Sequence, residues 1–260
     1  MAASFDTAAL RYDETFTGSV IGKLQRQYVY RHLSALLKES AFQKILEINC
    51  GTGEDAFWLA EQNLEVVATD VSPAMIAVAQ SKGKLDNLRF QKADINELSA
   101  DFKNQQFDLI FSNFGGLNCL SEIQLELFFK NASQLLTENG KLALVIMPRN
   151  TLWERFYFLA KARFKSISRR KKGSLIVNVD GESVITYYYN PKEAIGFADY
   201  YFRFKTVHPI GLFVPPSYLE SFFKDKPRLV AFLNALELQV QRHKKLSKYA
   251  DHYLIVFEKR

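Results

Sequence analysis

Positions Leu24, Tyr28, His32 and Leu36 recur at helical spacing, which predicts an amphipathic helix ending near Ser40. The apolar run Lys44–Ile48 then reads as a buried strand and passes directly into Asn49-Cys50-Gly51-Thr52-Gly53 before a helical stretch over Glu54–Gln62. Leu64–Asp70, rich in β-branched residues, predicts a second strand. After it, Ser72 and Pro73 supply a helix N-cap and a proline at the first helical position. Leu88–Asp94 alternates like a third strand, and Phe107–Ser112 and Leu142–Met147 predict a fourth and a fifth. A helix from about Ser121 to Leu136, ended by Asn139-Gly140, lies between the last two. Strands alternating with helices imply an α/β fold with a mainly parallel sheet, helices on both faces and ligands at the carboxyl ends of the strands.

Asn150–Pro216 breaks this rhythm. It holds a helical stretch, a basic run from Lys165 to Lys172, and aromatic clusters at Tyr187-Tyr188-Tyr189 and Tyr200-Tyr201-Phe202, a pattern suited to a lid. Tyr253–Phe257 is expected to form an edge strand, with Glu258-Lys259-Arg260 discouraging further pairing.

Composition narrows the class. A chain of 260 residues with 48% hydrophobic content suits one large α/β domain and leaves little room for two. Two cysteines, Cys50 and Cys119, are too few for a disulfide framework and lack the spacing of a zinc site, so no metal is expected and a reducing compartment is. The first residues show no basic segment followed by an apolar one, and no stretch is long and apolar enough to span a bilayer, so a cytoplasmic protein is expected. The net charge of +6 favours anionic partners but describes mainly a solvated surface.

The loops after the strands carry the candidate chemistry. Gly51 and Gly53 permit a close backbone approach where the first strand feeds a helix. Asp70, ending the second strand, is placed to accept from both hydroxyls of a ribose, and Asp94, ending the third, from an adenine amino group. A single such aspartate is commonly a cap or a solvated turn; two in register with the glycine turn point to a nucleoside.

These residues resemble the class I, Rossmann-like S-adenosylmethionine-dependent methyltransferases of the small-molecule type, over about Tyr12–Met147. Glu47-Ile48-Asn49-Cys50-Gly51-Thr52-Gly53 is similar to the family's acidic residue and glycine-rich turn, with Asn49 where the family usually has its first glycine; asparagine tolerates left-handed backbone. The resemblance implies a Rossmann-like, mainly parallel seven-stranded sheet with a cap insertion after the fifth strand, and S-adenosyl-L-methionine as cofactor. It also implies a single domain over 1–260: an N-terminal helical cap (1–42), a cofactor-binding core (43–148), an acceptor-side insertion (149–216), and C-terminal helices with the last strand (217–260). By the same resemblance Glu47, Asn49, Gly51 and Gly53 form the turn around the methionine portion, and Asp70 holds the ribose. Val71 and Met75 flank the adenine, Asp94 and Ile95 contact its amino edge and face, and Asn113 and Phe114 border the sulfonium. Tyr12, within Ala9-Leu10-Arg11-Tyr12-Asp13, resembles a tyrosine that closes over the cofactor, though an ordinary packed tyrosine is as common. The resemblance extends less specifically through Tyr187–Pro191, His208–Pro216 and Asp251-His252-Tyr253.

Methyl transfer is displacement at an activated carbon and needs positioning more than a fixed triad. A base helps when the acceptor is a phenol or acid. Of His32, His208, His243 and His252, His208 in the expected cap region is the candidate, although a histidine at a turn is more often structural. Cys50 and Cys119 read as small core residues. The expected acceptor is a small hydrophobic or aromatic molecule, and no stable nucleic-acid complex is expected.

Three rival functions are consistent with parts of the chain. An NAD(P)-dependent short-chain reductase is suggested by Gly51-Thr52-Gly53 and by the Tyr157-x-x-x-Lys161 spacing. The basic stretch 161–172, with Phe156, Phe158 and Phe164, suggests a methyltransferase acting on nucleic acid or a transient membrane-surface contact, against the ordinary solvated helix face. A cofactor-binding module without catalysis is the third. Oligomeric state is not encoded in any of these patterns.

Overall fold

The computed structural model describes residues 5–179 and 181–260; residues 1–4, which begin the expected N-terminal cap, and Asp180 lie outside them. Along the chain run α1 (Ala9–Tyr12), a π-helical turn (Asp13–Thr17), α2 (Val20–Lys38), β1 (Lys44–Ile48), α3 (Glu54–Ala60), β2 (Glu65–Asp70), α4 (Pro73–Ser81), β3 (Leu88–Lys92), α5 (Leu98–Asp101), β4 (Phe107–Ser112), α6 (Glu122–Leu135) and β5 (Leu136–Ile146). The second half adds α7 (Leu152–Ala160), β6 (Ser174–Val179), β7 (Glu182–Tyr187), α8 (Pro191–Ala198), β8 (Phe202–Ile210), α9 (Glu220–Phe223), α10 (Pro227–Val240) and β9 (His252–Lys259).

Seven strands form one sheet in the order β3-β2-β1-β4-β5-β9-β8. The first five pair in parallel and β9 runs antiparallel to both of its neighbours. Strand periodicity divides the side chains between two cores. Leu46, Ile48, Ile110, Leu144 and Ile255 face α5, α6 and α8, while Ile45, Leu109, Phe111, Val145 and Leu254 face α2, α3 and α10. Phe129 packs edge-on against Phe202 and Phe257, joining α6 to the far end of the sheet. Each such fully buried ring contributes about 1.5 to 3 kcal/mol relative to an exposed one.

Helix starts follow the sequence closely, whereas α6 ends at Leu135, with β5 beginning at Leu136, and not at Asn139-Gly140. Ser72 Oγ accepts from the N–H of Met75, with Pro73 starting α4, and Ser121 forms a capping box with Gln124. The cap of α2 is less local: Ser19 Oγ accepts from Gly22, and Glu220, two hundred residues away, accepts from the N–H groups of Val20 and Ile21 at 2.9 and 3.0 Å.

Two expectations at the far edge are corrected. Tyr253–Phe257 is not an edge strand, because β9 is flanked by β5 and β8 and its first six residues are all buried. An unbroken apolar run marks an interior strand, whereas an edge shows polar alternation, as Arg203 and Lys205 do on β8. The terminal charges fasten the sheet: Lys259 donates to the Leu136 carbonyl, and Arg260 Nε to that of Asp199. Because β8 belongs to the sheet, segment 149–216 contains a main-sheet strand; its β6–β7 hairpin forms a separate two-stranded sheet.

The chain order reverses between β1 and β4, where the connection from β1 enters α3 on one face and that from β4 leads to α6 on the other. Diverging connections open a crevice at the carboxyl ends of these strands, the usual ligand position in such sheets.

Candidate active site

The turn after β1 lines that crevice. Asn49, Gly51 and Gly53 all have left-handed backbone, with φ of 57°, 53° and 81°. Asn49 thus adopts the conformation that a glycine would otherwise supply. Its amide donates to Ser112 Oγ at 3.3 Å, and it fits only because Gly116 lies opposite, where a Cβ would come within 2.3 Å of Asn49 Nδ2. Space beside Gly51 is open as far as Tyr12, whose Cε1 lies 4.0 Å from where a Cβ would stand. Gly53 is different: a Cβ there would meet Phe90 at 2.7 Å and Ala79 at 2.9 Å. Its missing side chain serves the packing of α3 against β3 and α4, and it does not line the cavity.

The two strand-end aspartates converge on the same cavity, of about 340 Å³, which Asn49, Gly51, Val71 and Met75 also line. Asp70 accepts from the N–H of Gly51 through Oδ2 and from that of Ser72 through Oδ1, both at 2.9 Å. Burial pushes its carboxyl up despite these backbone bonds, and Asp6 nearby adds to the shift. An ionised carboxylate offers about four lone-pair sites, so each Asp70 oxygen retains one for a ligand. Asp94 holds the next turn through Oδ1, which accepts from the backbone and side chain of Asn96 at 2.9 and 2.8 Å. Its Oδ2 has no partner among the described residues. Ile95 and Phe114 complete the apolar walls.

Glu47 and Asn113 lie beneath the turn, outside the cavity lining. Glu47 is 1% exposed, and burial, reinforced by Asp55, raises its pKa well above the ordinary range while Arg26 opposes the shift. Arg26 pairs with Asp55 at 3.2 Å, and Asn113 donates to the other Asp55 oxygen at 3.0 Å. Asn113 Oδ1 accepts from the N–H of Phe114 at 3.0 Å, fixing a residue with φ of 34°. The acid ending β1 and the asparagine ending β4 therefore support the turns from below.

The N-terminal segment closes over this half. Tyr12 lines the cavity and packs on Phe16, which meets Phe114 edge-on at 5.1 Å. Burial pushes the Tyr12 hydroxyl up to about 12, leaving it a neutral donor at physiological pH. Asp13 latches the segment down: it accepts from Thr52 Oγ1 at 2.6 Å and pairs with Lys82 at 2.5 Å. Burial opposes the Asp13 charge, but the Lys82 and Thr52 bonds outweigh it and hold the pKa below the ordinary value.

The other half of the cavity comes from residues that periodicity did not single out. Strand alternation turns Val177, Val179, Val184 and Thr186 of the β6–β7 hairpin inward, against Leu120 and Met147. Asn118 anchors the hairpin, donating to the carbonyls of Met147 and Tyr187 and accepting from the N–H of Met147. Asp180-Gly181 between two alternating runs is a strong hairpin signal that could have revealed it. The basic run is not a solvated helix face: α7 stops at Ala160, and Arg169 and Arg170 turn into the cavity lining. Both are held by Glu154, which Arg169 binds through Nε and Nη2 at 2.8 and 3.2 Å and Arg170 through Nε at 2.7 Å. Lys161, Arg163, Lys165, Lys171 and Lys172 remain exposed. Tyr218 reaches the cavity from the loop after β8, whose N–H groups at Gly211, Phe213 and Val214 all donate to buried Glu237.

His208 does not line the cavity. Its ring stacks on His32 at 3.9 Å, its Nδ1 lies 3.2 Å from the Gln241 carbonyl, and burial pushes its pKa down. It is a packed histidine between β8 and α2, so its candidacy as a base is withdrawn. Cys119 touches the cavity, but burial raises its thiol to about 11 and also pushes that of Cys50 well above the ordinary value, so neither is a ready nucleophile. Neither Tyr157 nor Lys161 lines the cavity; Tyr157 packs edge-on against Tyr218 and Lys161 is exposed. The pair that suggested a reductase therefore does not face the candidate ligand.

Residues 45–140 match a family model described as a methyltransferase domain. The chain is 40% identical over 85 residues to a trans-aconitate 2-methyltransferase of Deinococcus radiodurans, covering 32% of this chain and 31% of that one. It is 34% identical over 116 residues to a malonyl-[acyl-carrier protein] O-methyltransferase of a Paenibacillus species, covering 43% and 41%. The chain thus spans less than half of the length of these curated relatives. A crystal structure of an S-adenosylmethionine-dependent methyltransferase from Clostridium acetobutylicum superposes over 98% of both chains with a TM-score of 0.61 at 16% identity, a likeness of fold.

Proposed function

We propose that the chain, whose residues 45–140 match a methyltransferase domain, is a class I, Rossmann-like S-adenosylmethionine-dependent methyltransferase that transfers a methyl group to a small, largely apolar acceptor enclosed by the β6–β7 hairpin. The observation that carries this is one continuous cavity bounded at one end by Gly51, Asp70 and Asp94 and at the other by hairpin valines. Its volume, about 340 Å³, lies in the range of small-molecule sites.

The donor set fits the cofactor. Asp70, with one lone-pair site left on each oxygen, accepts the two ribose hydroxyls, and Asp94 Oδ2, without a partner among the described residues, accepts the adenine amino group. Val71, Met75 and Ile95 give the purine apolar walls, while Gly51 and Asn49 admit the methionine portion close to the backbone. Bound there, S-adenosylmethionine supplies a methyl carbon already activated by sulfonium. The protein's remaining tasks are alignment and exclusion of water. Tyr12, Phe16 and Phe114 close one side and the hairpin closes the other.

That one similar curated protein is a trans-aconitate 2-methyltransferase supports a small-molecule acceptor. Titration calorimetry tests the cofactor step directly. Binding of S-adenosylhomocysteine without binding of NADPH is expected, and the reverse preference would overturn the assignment.

A further inference from the structure

We propose, resting on the function above, that the acceptor is an amphiphilic anion whose carboxylate or phosphate is held by Arg170 with Arg169 beside it, and whose apolar body lies along the inner face of the β6–β7 hairpin.

Arg170 is 6% exposed and lines the cavity. A guanidinium has five N–H donors. Arg170 uses Nε on Glu154, its guanidinium carbon lies 4.5 Å from the centre of the Tyr188 ring, and its Nη1 is buried without a hydrogen-bond partner among the described residues. An unpaired buried donor on a charged group is costly, and such cases are concentrated where a ligand completes the set. Charge points the same way. One carboxylate, Glu154, serves two guanidiniums at once, so the group keeps an excess of positive charge. Asp251 also feels Arg170, but its Oδ2 is engaged by His252 Nδ1 and Gln25 Nε2, each at 3.2 Å. A planar fork with free N–H groups matches the two oxygens of a carboxylate or phosphate.

The apolar part of the acceptor follows from the hairpin. Val177 and Val184 are cross-strand partners on the inner face and Val179 extends it, whereas Ile176 and Ile185 are paired on the outer face. An anionic head with a short hydrocarbon body complements this wall and the guanidinium together; a neutral hydrocarbon leaves Nη1 of the guanidinium unsatisfied, and a cation meets repulsion.

The test is calorimetric titration of the full chain with hexanoate, hexyl phosphate, hexanol and hexylamine, each with and without saturating S-adenosylhomocysteine. At least one anion is expected to bind about ten-fold or more tighter than hexanol, as charged hydrogen bonds of ordinary strength require. The hexanoate and hexyl phosphate arms distinguish the two headgroups. In Arg170→Gln the preference for the anion should vanish while affinity for S-adenosylhomocysteine stays put, and Arg170→Lys, which keeps the charge but loses the fork, should retain part of it. Equal binding of hexanol and both anions by the wild type overturns the proposal, as does a preference that survives Arg170→Gln. Should Arg170→Gln fail to fold, the wild-type comparison and Arg170→Lys still decide. Failure to bind S-adenosylhomocysteine would instead overturn the methyl-transfer assignment, and the titrations without it would judge the anion site separately.

Discussion

Replacing Asp70 by alanine removes the group on which the cofactor assignment depends most. Its two oxygens each accept one backbone N–H at 2.9 Å, leaving one acceptor site apiece for two ribose hydroxyls. Hydrogen bonds to a charged acceptor are worth about 1.5 to 3 kcal/mol each, so losing two weakens binding by about 3 to 6 kcal/mol, or roughly two to four decades in Kd. Loss of stability should be smaller. Alanine leaves the N–H groups of Gly51 and Ser72 without their acceptor, but it also removes a carboxylate whose raised pKa shows that burial disfavours its charge in the free protein. Asp70→Asn, keeping one acceptor oxygen, should fall between wild type and alanine. Calorimetry with S-adenosylhomocysteine, on variants whose fold is verified by circular dichroism, provides the measurement. The ionised form is the one that accepts both hydroxyls, so affinity should be complete above the Asp70 pKa and decline as pH falls through it. An Asp70→Ala affinity within about three-fold of wild type would refute the reasoning, since even one such bond contributes more.

Four further outcomes follow from the same geometry. Gly53→Ala should destabilise the fold by about 2 to 4 kcal/mol, combining left-handed strain with contacts inside 3 Å on Phe90 and Ala79, measured as a lower urea midpoint. Glu47→Gln should flatten the pH dependence of stability: with its pKa raised in the fold, Glu47 keeps a proton that the unfolded chain loses, so native stability falls as pH rises past the ordinary carboxylate value, and the amide removes that loss in denaturation at pH 5 against pH 8. Asp13→Ala should unlatch the N-terminal segment and speed dissociation of S-adenosylhomocysteine by a factor of about three in stopped flow. This latch is present above the ordinary aspartate pKa and lost as pH falls through the depressed one. His208→Ala should leave kcat within about two-fold, because a base contributes roughly a hundred-fold or more and this ring faces His32 instead of the cavity.

Local pattern was enough to place the half of the cavity around Gly51, Asp70 and Asp94. A buried parallel strand, a tight turn and a capped helix are short-range structures, so Lys44–Ile48, the turn to Gly53 and the Ser72-Pro73 start of α4 were legible residue by residue. Parallel register then carries Asn49, Asp70 and Asp94 to one edge without any further information, because Asp70 ends β2, Asn49 directly follows β1 and Asp94 lies two residues beyond β3. The left-handed backbone of Asn49 was legible in the same way, but the reason it fits, the bare Cα of Gly116 across the crevice, is a contact between segments sixty-seven positions apart.

Long-range packing decided the rest. Gly51 and Gly53 look alike in the chain, yet one faces the cavity and the other the Phe90 ring. Glu47 and Asn113 share strand-end positions with the lining residues, but alternation turns the first into the α2–α3 core and Asp55 captures the second. Arg169 and Arg170 belong to a run of cations that charge alone assigns to solvent; only the fold brings Glu154 near enough to hold both at the cavity. Periodicity reports which side of an element is apolar, not which partner will cover it. The other half of the cavity, assembled from a hairpin, two turns and the loop after β8, therefore became visible only when the chain was folded.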